Sequence, residues 1–340
     1  MRSWNTARVE LLRQPPNQQM QTPEADRFRQ LRAVLSNQAV SMLLILILMW
    51  FLLSLLSPYF FTVGNLTEIT LQTAVIGIIA AGQTLVILSG GIDLSVGSVF
   101  ACSGVAGGLV FQATRNLWLT VGATLLTAAV LGSMNGLFIT RLRVPPFIAT
   151  LGMLGMARGL ALILSRGIPI FGLSEDYLWI GQGKLFDLVP VPTLILLAVF
   201  ALVFFVARYT RFGRFIYATG SNAEAAELSG INLGLVVLGT YALSGLFCGV
   251  GAVIEAARLG TVQPAGGNGY ELLAIGAVVI GGTSLFGGEG NVIATLIGAL
   301  LVTTIRNGLN LLGVNAFWQY VANGAVIIAA VAVDQWRRRI

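Results

Sequence analysis

The sequence predicts an all-α, polytopic membrane protein of about ten transmembrane helices, built as two inverted five-helix halves with both termini in the cytoplasm. Three observations carry this: apolar runs of membrane-spanning length, a one-sided distribution of basic residues, and a faint internal repeat. Of the 340 residues 56% are hydrophobic and only 10% charged, and the mean hydropathy is +0.84. A soluble fold of this size cannot bury so much apolar surface. The 41 glycines lie among the apolar runs, where small residues let helix backbones approach closely.

Runs long enough to cross a hydrocarbon core of about 30 Å as helix lie near 39–57, 69–89, 94–111, 118–139 and 146–165, and again near 191–208, 233–256, 270–286, 291–312 and 317–333. They make one transmembrane domain, 39–335, with a first half at 39–165 and a second at 191–333. Residues 1–38 form a polar tail containing Pro15 and Pro16, without the short apolar stretch and cleavage site of a signal peptide. Residues 336–340 form a basic tail.

With the N-terminus placed in the cytoplasm, the inside receives Arg2, Arg8, Arg13, Arg27, Arg29, Arg32, Arg141, Arg143, Arg208, Arg211, Arg214, Arg337, Arg338 and Arg339. The outside receives Arg115, Arg166, Lys184 and Arg258. Fourteen against four is the positive-inside asymmetry, and it supports an even number of spans with both termini in the cytoplasm. The same asymmetry accounts for the formal charge of +6 without nucleic acid.

The repeat pairs Ala123-Thr124-Leu125 and Asn135-Gly136-Leu137 with Ala294-Thr295-Leu296 and Asn307-Gly308-Leu309, and Gly91-Ile92-Asp93-Leu94 with Gly269-Tyr270-Glu271-Leu272. Spans 3 and 4 thereby map onto spans 8 and 9. An odd offset of five spans turns the second copy over in the membrane, the inverted construction of many transporters.

Several chemistries are excluded. Histidine is absent, which removes the usual neutral-pH base and the commonest metal ligand. Cys102 and Cys248 lie in separate apolar runs and read as inert. The lone lysine, Lys184, is followed by leucine, so the chain has no phosphate loop and holds no cofactor of its own.

Between spans 6 and 7, residues 209–231 contain Ser221-Asn222-Ala223-Glu224-Ala225-Ala226 and then Gly230. Ser221 with Glu224 predicts a capping box, and Gly230 the end of a helix of about two turns. So short a helix needs a partner surface, and its alanines would admit another protein closely.

Asp93 follows Gly90-Gly91 where span 2 gives way to span 3. It reads either as a helix cap or, with Ser95, as part of an unwound gate or channel wall. Charges inside spans are expensive, so Arg158, Arg306, Glu255 and Glu271 need water, a partner or an interfacial place. Arg306 beside Asn307 is the candidate interior polar site, and a bridge from it to Glu271 is one option. Gln83, Thr84, Asn135, Asn307, Gln319 and Asn323 have the chemistry to line a channel for a neutral hydroxylated solute, or to bond neighbouring helices. In the external connection 166–190, Ser174 starts a helix that carries the interfacial Trp179.

Glu224-Ala225-Ala226 with Gly230 resembles the coupling loop of permeases from ATP-binding-cassette importers. Gly90 through Gly97, Gly213 through Leu235, Gly269-Tyr270-Glu271-Leu272, Gly281-Gly282-Thr283-Ser284-Leu285 and Asn307 through Val314 are similar to the ribose-type branch of bacterial sugar permeases, which includes autoinducer-2 permeases. The likeness spans roughly residues 55–335. It implies a dimeric permease, paired with itself or a paralogue, in the lipid of the bacterial inner membrane. It also implies a cytoplasmic double-cassette ATPase holding ATP and Mg, and a periplasmic solute-binding protein. Ser221, Asn222, Glu224, Ala225, Ala226 and Gly230 would then couple to the ATPase, with Asp93, Ser95, Gln83, Asn135, Glu271, Arg306, Asn307 and Asn323 as gate or channel candidates. Two departures stand out: Ile-x-Leu-Pro is missing after Gly230, and Leu273 sits where ribose-type members often carry aspartate. The alternatives are an ion-coupled transporter working through Asp93 and Glu271, and a membrane enzyme, which the scattered carboxylates disfavour.

Overall fold

The computed structural model describes residues 38–315 and, beyond them, 317–319, 321–322, 324–325, 328 and 332. The N-terminal tail before Gln38, the basic tail 336–340 and parts of the expected tenth span at 317–333 lie outside the described residues. Among the described residues, eight helices are long and apolar enough to cross a membrane. They are α1 (Gln38–Leu56), α2 (Val63–Leu88), α3 (Val96–Thr114), α4 (Leu117–Thr140), α5 (Pro146–Ser165), α7 (Val191–Tyr209), α10 (Leu233–Leu259) and α12 (Val292–Leu311). Shorter helices are α6 (Glu175–Gln182), α8 (Arg211–Ser221), α9 (Ala223–Leu228) and α11 (Tyr270–Ile280). Two small antiparallel pairs also lie among the described residues: β1 (Ile170–Phe171) with β4 (Thr261–Val262), and β2 (Lys184–Leu185) with β3 (Val189–Pro190).

The eighth expected span, near 270–286, differs from expectation. Its helix, α11, stops after 11 residues, about 16 Å at 1.5 Å per residue and only half of a hydrocarbon core. The cause lies in Gly281 and Gly282. A Cβ on Gly281 would sit 2.7 Å from Thr295 Cα on α12, and Gly282 takes φ +80°, a left-handed conformation that favours glycine. Residues 281–291 return to α12 as an irregular segment.

Helix starts follow the expected chemistry. The side chains of Thr62, Asn116, Thr210, Asn232 and Asn291 each accept a first-turn backbone N–H. Ser174 caps α6 as its position predicts, accepting from Tyr177 N at 3.4 Å. That helix is pinned to the end of α10, where Gln182 Nε2 donates to the carbonyls of Ala257 and Arg258.

The bundle is organised round α2, in which every residue from Thr73 to Leu88 is buried. At the periphery α1 turns Leu43, Ile47, Phe51 and Leu55 outward, an apolar surface suited to lipid. Between α4 and α10 the backbones nearly touch: a Cβ on Gly245 would lie 2.9 Å from Gly132 Cα. Such small-residue crossings gain van der Waals contact where lipid provides no hydrophobic drive. α2 and α12 are instead joined by a polar ladder. Asn307 Nδ2 donates to Asn65 Oδ1 at 2.7 Å, the Thr73 and Thr303 hydroxyls lie 2.6 Å apart, and Thr84 Oγ1 donates to Thr295 Oγ1 at 3.2 Å. Interhelical bonds of this kind contribute about 0.6 kcal/mol each in a membrane.

Candidate functional site

After α2 the chain does not enter α3 directly. Gly90, at φ +84°, reverses it, and residues 91–95 run back beside the last turns of α2. Gly91 N donates to Val86 O at 3.0 Å, and the Gln83 amide spans the Asp93 backbone, Nε2 donating to Asp93 O (3.2 Å) and Oε1 accepting from Asp93 N (3.1 Å). Ile92 O is held by the Tyr241 hydroxyl at 3.1 Å and by Thr150 Oγ1 at 3.3 Å. The unwound segment is thus satisfied by side chains from three helices, the condition under which irregular backbone survives at membrane depth.

Asp93 is buried at the centre. Its Oδ1 accepts from Ser95 N (2.9 Å) and Ser95 Oγ (2.6 Å), and its Oδ2 from Ser244 Oγ (3.1 Å) on α10. Ser95 Oγ in turn accepts from Asn135 Nδ2 on α4 at 2.8 Å. Four expected candidates, Gln83, Asp93, Ser95 and Asn135, are therefore one network. The helix-cap reading of Asp93 is corrected: the cap position of α3 is Ser95, which makes no side-chain cap bond, and Asp93 closes the turn before it. Ser244, Tyr241 and Thr150 were not singled out by the sequence.

Asn can reproduce this pattern, with Oδ1 on Ser95 and Nδ2 donating to a reoriented Ser244 hydroxyl, whereas Leu strands the fixed Ser95 N–H. Asp93→Asn is accordingly expected to melt like wild type in detergent, and Asp93→Leu to lose about 1–3 kcal/mol for that donor alone. Equal melting of the two variants would contradict the network.

One turn along α3 lies the counterpart from the second half. A Cβ on Gly97 would come within 2.6 Å of Glu271 Oε2 and would also strike Gly267 O, so glycine alone permits the approach. Glu271 Oε1 accepts from Gly269 N at 3.2 Å. Arg158 on α5 donates Nη1 to Gly266 O (2.8 Å) and Pro264 O (3.1 Å), and Nη2 to Gly97 O at 3.5 Å. It clasps the α10–α11 connection onto the start of α3. The structure contains no Arg306–Glu271 bridge among the described residues; the arginine beside this region is Arg158. Glu255 instead meets Arg258 Nε at 3.3 Å and accepts from the Tyr270 hydroxyl at 3.2 Å. Asn307 belongs to the α2–α12 ladder, Arg306 lines a separate cavity, and Asn323 lies outside the described residues.

Beside the same C-terminal end of α2, the expected two-turn helix is present as α9, with its start moved by one residue. Ser221 is the last residue of α8, and Asn222 is the cap, its Oδ1 accepting from Ala225 N at 2.9 Å. Asn caps as well as Ser, and α8 runs on through Ser221. The end is where Gly230 placed it: Gly230, at φ +84°, donates N–H to Glu227 O (2.9 Å) and Ile231 N donates to Ala226 O (3.1 Å), the paired bonds of a Schellman motif. Of residues 221–230 only Ala226 is buried, and Leu228 is 84% exposed.

This projection joins the membrane core through glycine. A Cβ on Gly220 would strike Leu88 O and lie 2.6 Å from Gly288 N, and one on Gly287 would lie 2.9 Å from the Cα atoms of both Gly220 and Gly90. Gly288 N donates to Leu88 O at 3.0 Å. Alongside, the Tyr217 hydroxyl donates to Gly290 O at 3.1 Å, and burial pushes its pKa above the ordinary tyrosine value, keeping it a donor. The end of α8, the start of the Asp93 segment and the α11–α12 connection thus meet backbone to backbone.

Comparison with known proteins adds the family. Residues 65–331 match the model described as "Branched-chain amino acid transport system / permease component". The chain is 43% identical to the ribose import permease protein of Escherichia coli K12 over 296 residues, covering 86% of this chain and 92% of that protein. It is 42% identical to the ribose import permease protein of Bacillus subtilis over 287 residues, 84% and 88% of the two chains. It is 39% identical to the D-allose transport system permease protein of Escherichia coli K12 over 283 residues, 82% and 86% of the two. No solved structure matches the chain.

Proposed function

The chain belongs to the family of branched-chain amino acid transport system permease components, and from that premise we propose how it works. It is a multi-pass protein of the bacterial inner membrane and the permease subunit of an ATP-binding-cassette importer for a monosaccharide or similar small polar solute. The observation that carries this is the 43% identity to a ribose import permease over nearly the full length of both chains.

In this reading the domain 39–335 consists of ten spans in two inverted halves, 39–165 and 191–333, with both termini cytoplasmic; the unequal distribution of arginine supports it. The chain performs no chemistry and binds no nucleotide. A separate double-cassette ATPase, holding ATP and Mg, grips α9 through Glu224 and Ala225. Its closure displaces α8, and the glycine contact at Gly220 hands the movement to residues 88–95 and 281–291. Those segments carry Asp93 and its partners at the centre, so the halves exchange access between the two sides. A periplasmic binding protein delivers the solute, and a second permease copy or paralogue completes the pathway.

The test is reconstitution. In liposomes with its partner ATPase and binding protein, the chain is expected to accumulate monosaccharide only when ATP is supplied. Accumulation by the chain alone, following a proton or sodium gradient, would overturn the reading.

A further inference from the structure

Between α7 and α8 the chain turns a corner on a single residue. Thr210 Oγ1 donates to Val206 O at 2.7 Å and accepts from Gly213 N at 3.1 Å, and a Cβ on Gly213 would strike the carbonyls of Val206 and Ala207. On the inner side Phe212 packs against α10, where a Cβ on Gly239 would lie 2.8 Å from Phe212 Cζ. On the outer side Arg208, Arg211 and Arg214 are exposed. The Arg208 charge reaches Tyr217, which is one turn from Arg214 and shares its side of α8. None of the three arginines has a hydrogen-bond or ion-pair partner among the described residues, and no acidic residue occurs between Asp187 and Glu224.

The free face of α7 leads straight to these cations. Leu202, Phe205 and Tyr209, spaced three and four apart, form one stripe and are 52%, 56% and 65% exposed. The rings of Phe205 and Tyr209 lie 5.8 Å apart. On the opposite face Val199, Val203 and Ala207 are buried. α7 is apolar and long enough to cross the membrane, so the stripe faces lipid, and the tyrosine at its foot marks the headgroup level. Topology accounts for arginine on this side of the membrane. It does not account for three of them, unneutralised, at the foot of one lipid-facing stripe.

We propose that this corner binds an anionic glycerophospholipid, its phosphate held by Arg208, Arg211 and Arg214 and an acyl chain laid along Leu202, Phe205 and Tyr209. Guanidinium forks match phosphate oxygens, and basic groups just beyond a span attract anionic lipid. A zwitterionic lipid would set its own cation against the arginines. A free phosphate or an acidic protein loop makes no use of the apolar stripe. The bound lipid fixes the first turn of α8 at headgroup level, while the far end of that helix carries the glycine contact at Gly220. This last consequence rests on the importer reading; the lipid site does not.

The test titrates the full chain in detergent with phosphatidylglycerol, phosphatidylcholine or inorganic phosphate and counts retained lipid by native mass spectrometry. Wild type is expected to prefer phosphatidylglycerol over phosphatidylcholine, and inorganic phosphate not to displace it. Each arginine beside an anionic headgroup contributes about fivefold to affinity, so Arg208→Gln with Arg211→Gln is expected to lower the preference about 25-fold. The charge-matched pair Arg141→Gln with Arg143→Gln should leave it unchanged. These four side chains are exposed, so both variants should melt like wild type; Arg211→Glu alone is scored in the same way as a second variant. Equal retention of the two lipids, equal loss in the two double variants, or displacement by phosphate overturns the site. A corner variant that keeps its lipid preference but no longer recovers the ATPase assigns the arginines to a protein surface and also overturns it. ATP-driven uptake in phosphatidylcholine liposomes is expected to rise severalfold when a quarter of the lipid is phosphatidylglycerol, and unchanged uptake would overturn the hold on α8. Lipid retention is scored without the ATPase, so failure of the importer reading is distinguished from failure of the site.

Discussion

Ala225→Arg is expected to weaken association with the ATPase at least 100-fold, with the membrane fold intact. Ala225 is exposed, and the residue that anchors α9 to the bundle is its neighbour Ala226, only 3% exposed. The cap runs from the backbone N–H of Ala225 to Asn222 Oδ1 and the closure at Gly230 is backbone to backbone, so neither uses the Ala225 side chain and the substitution leaves the turn folded. What changes is the outer surface. An alanine lets a partner approach the helix backbone, and an arginine holds it several ångströms away in a contact only two turns long. Loss of one central contact of this kind costs about 2 kcal/mol or more, and 100-fold is about 2.8 kcal/mol. Glu224→Lys should act in the same direction by reversing charge at the helix start. Co-purification of ATPase with each variant, alongside melting in detergent, is the measurement; wild-type recovery of the ATPase would remove α9 from its role.

Gly220→Val is expected to cut ATP-driven uptake at least tenfold while the ATPase still binds. The added Cβ meets Leu88 O and the N of Gly288, and neither is a side chain that can turn away. Overpacking of this sort costs about 1–3 kcal/mol, relieved only by spreading α8 from α2 and from the α11–α12 connection. α9 keeps its own bonds and surface, so docking persists and what fails is the hand-over of motion. Gly152→Val on α5 is the control, since a Cβ there meets nothing within 4 Å. Uptake at the wild-type rate by the Gly220 variant would show that the junction transmits nothing.

These two variants also mark where sequence reasoning succeeds and where it stops. The short projection was legible because glycine at a helix end and small residues before it are local signals. Its start was misplaced by one residue because Ser221 and Asn222 are both good caps, and only the three-dimensional course of α8 decides between them. At the centre, the polar residues Gln83, Asp93, Ser95 and Asn135 were legible as types, since such groups are rare in apolar runs. Their partner Ser244 lies 151 residues from Asp93, and nothing local distinguishes it from any serine that bonds its own helix. The same holds for Arg158, whose acceptors are main-chain carbonyls with no side-chain signature at all. The break after Ile280 was missed because an apolar run through Gly281 and Gly282 has the composition of a span. The close approach of α12 that makes those glycines necessary is a tertiary fact.

That break bears on how the protein is made. An 11-residue helix is too short to partition from the translocon into lipid as an independent unit, and the carbonyls at its end have no water to turn to. Their partners are Gly282 and Thr283, whose N–H groups cap Val279 and Val278, in a segment that closes against α12, the end of α2 and the end of α8. Biogenesis must therefore deliver residues 270–311 as one hairpin into a groove that earlier helices have already shaped. The order of synthesis, first half before second, becomes part of the folding pathway.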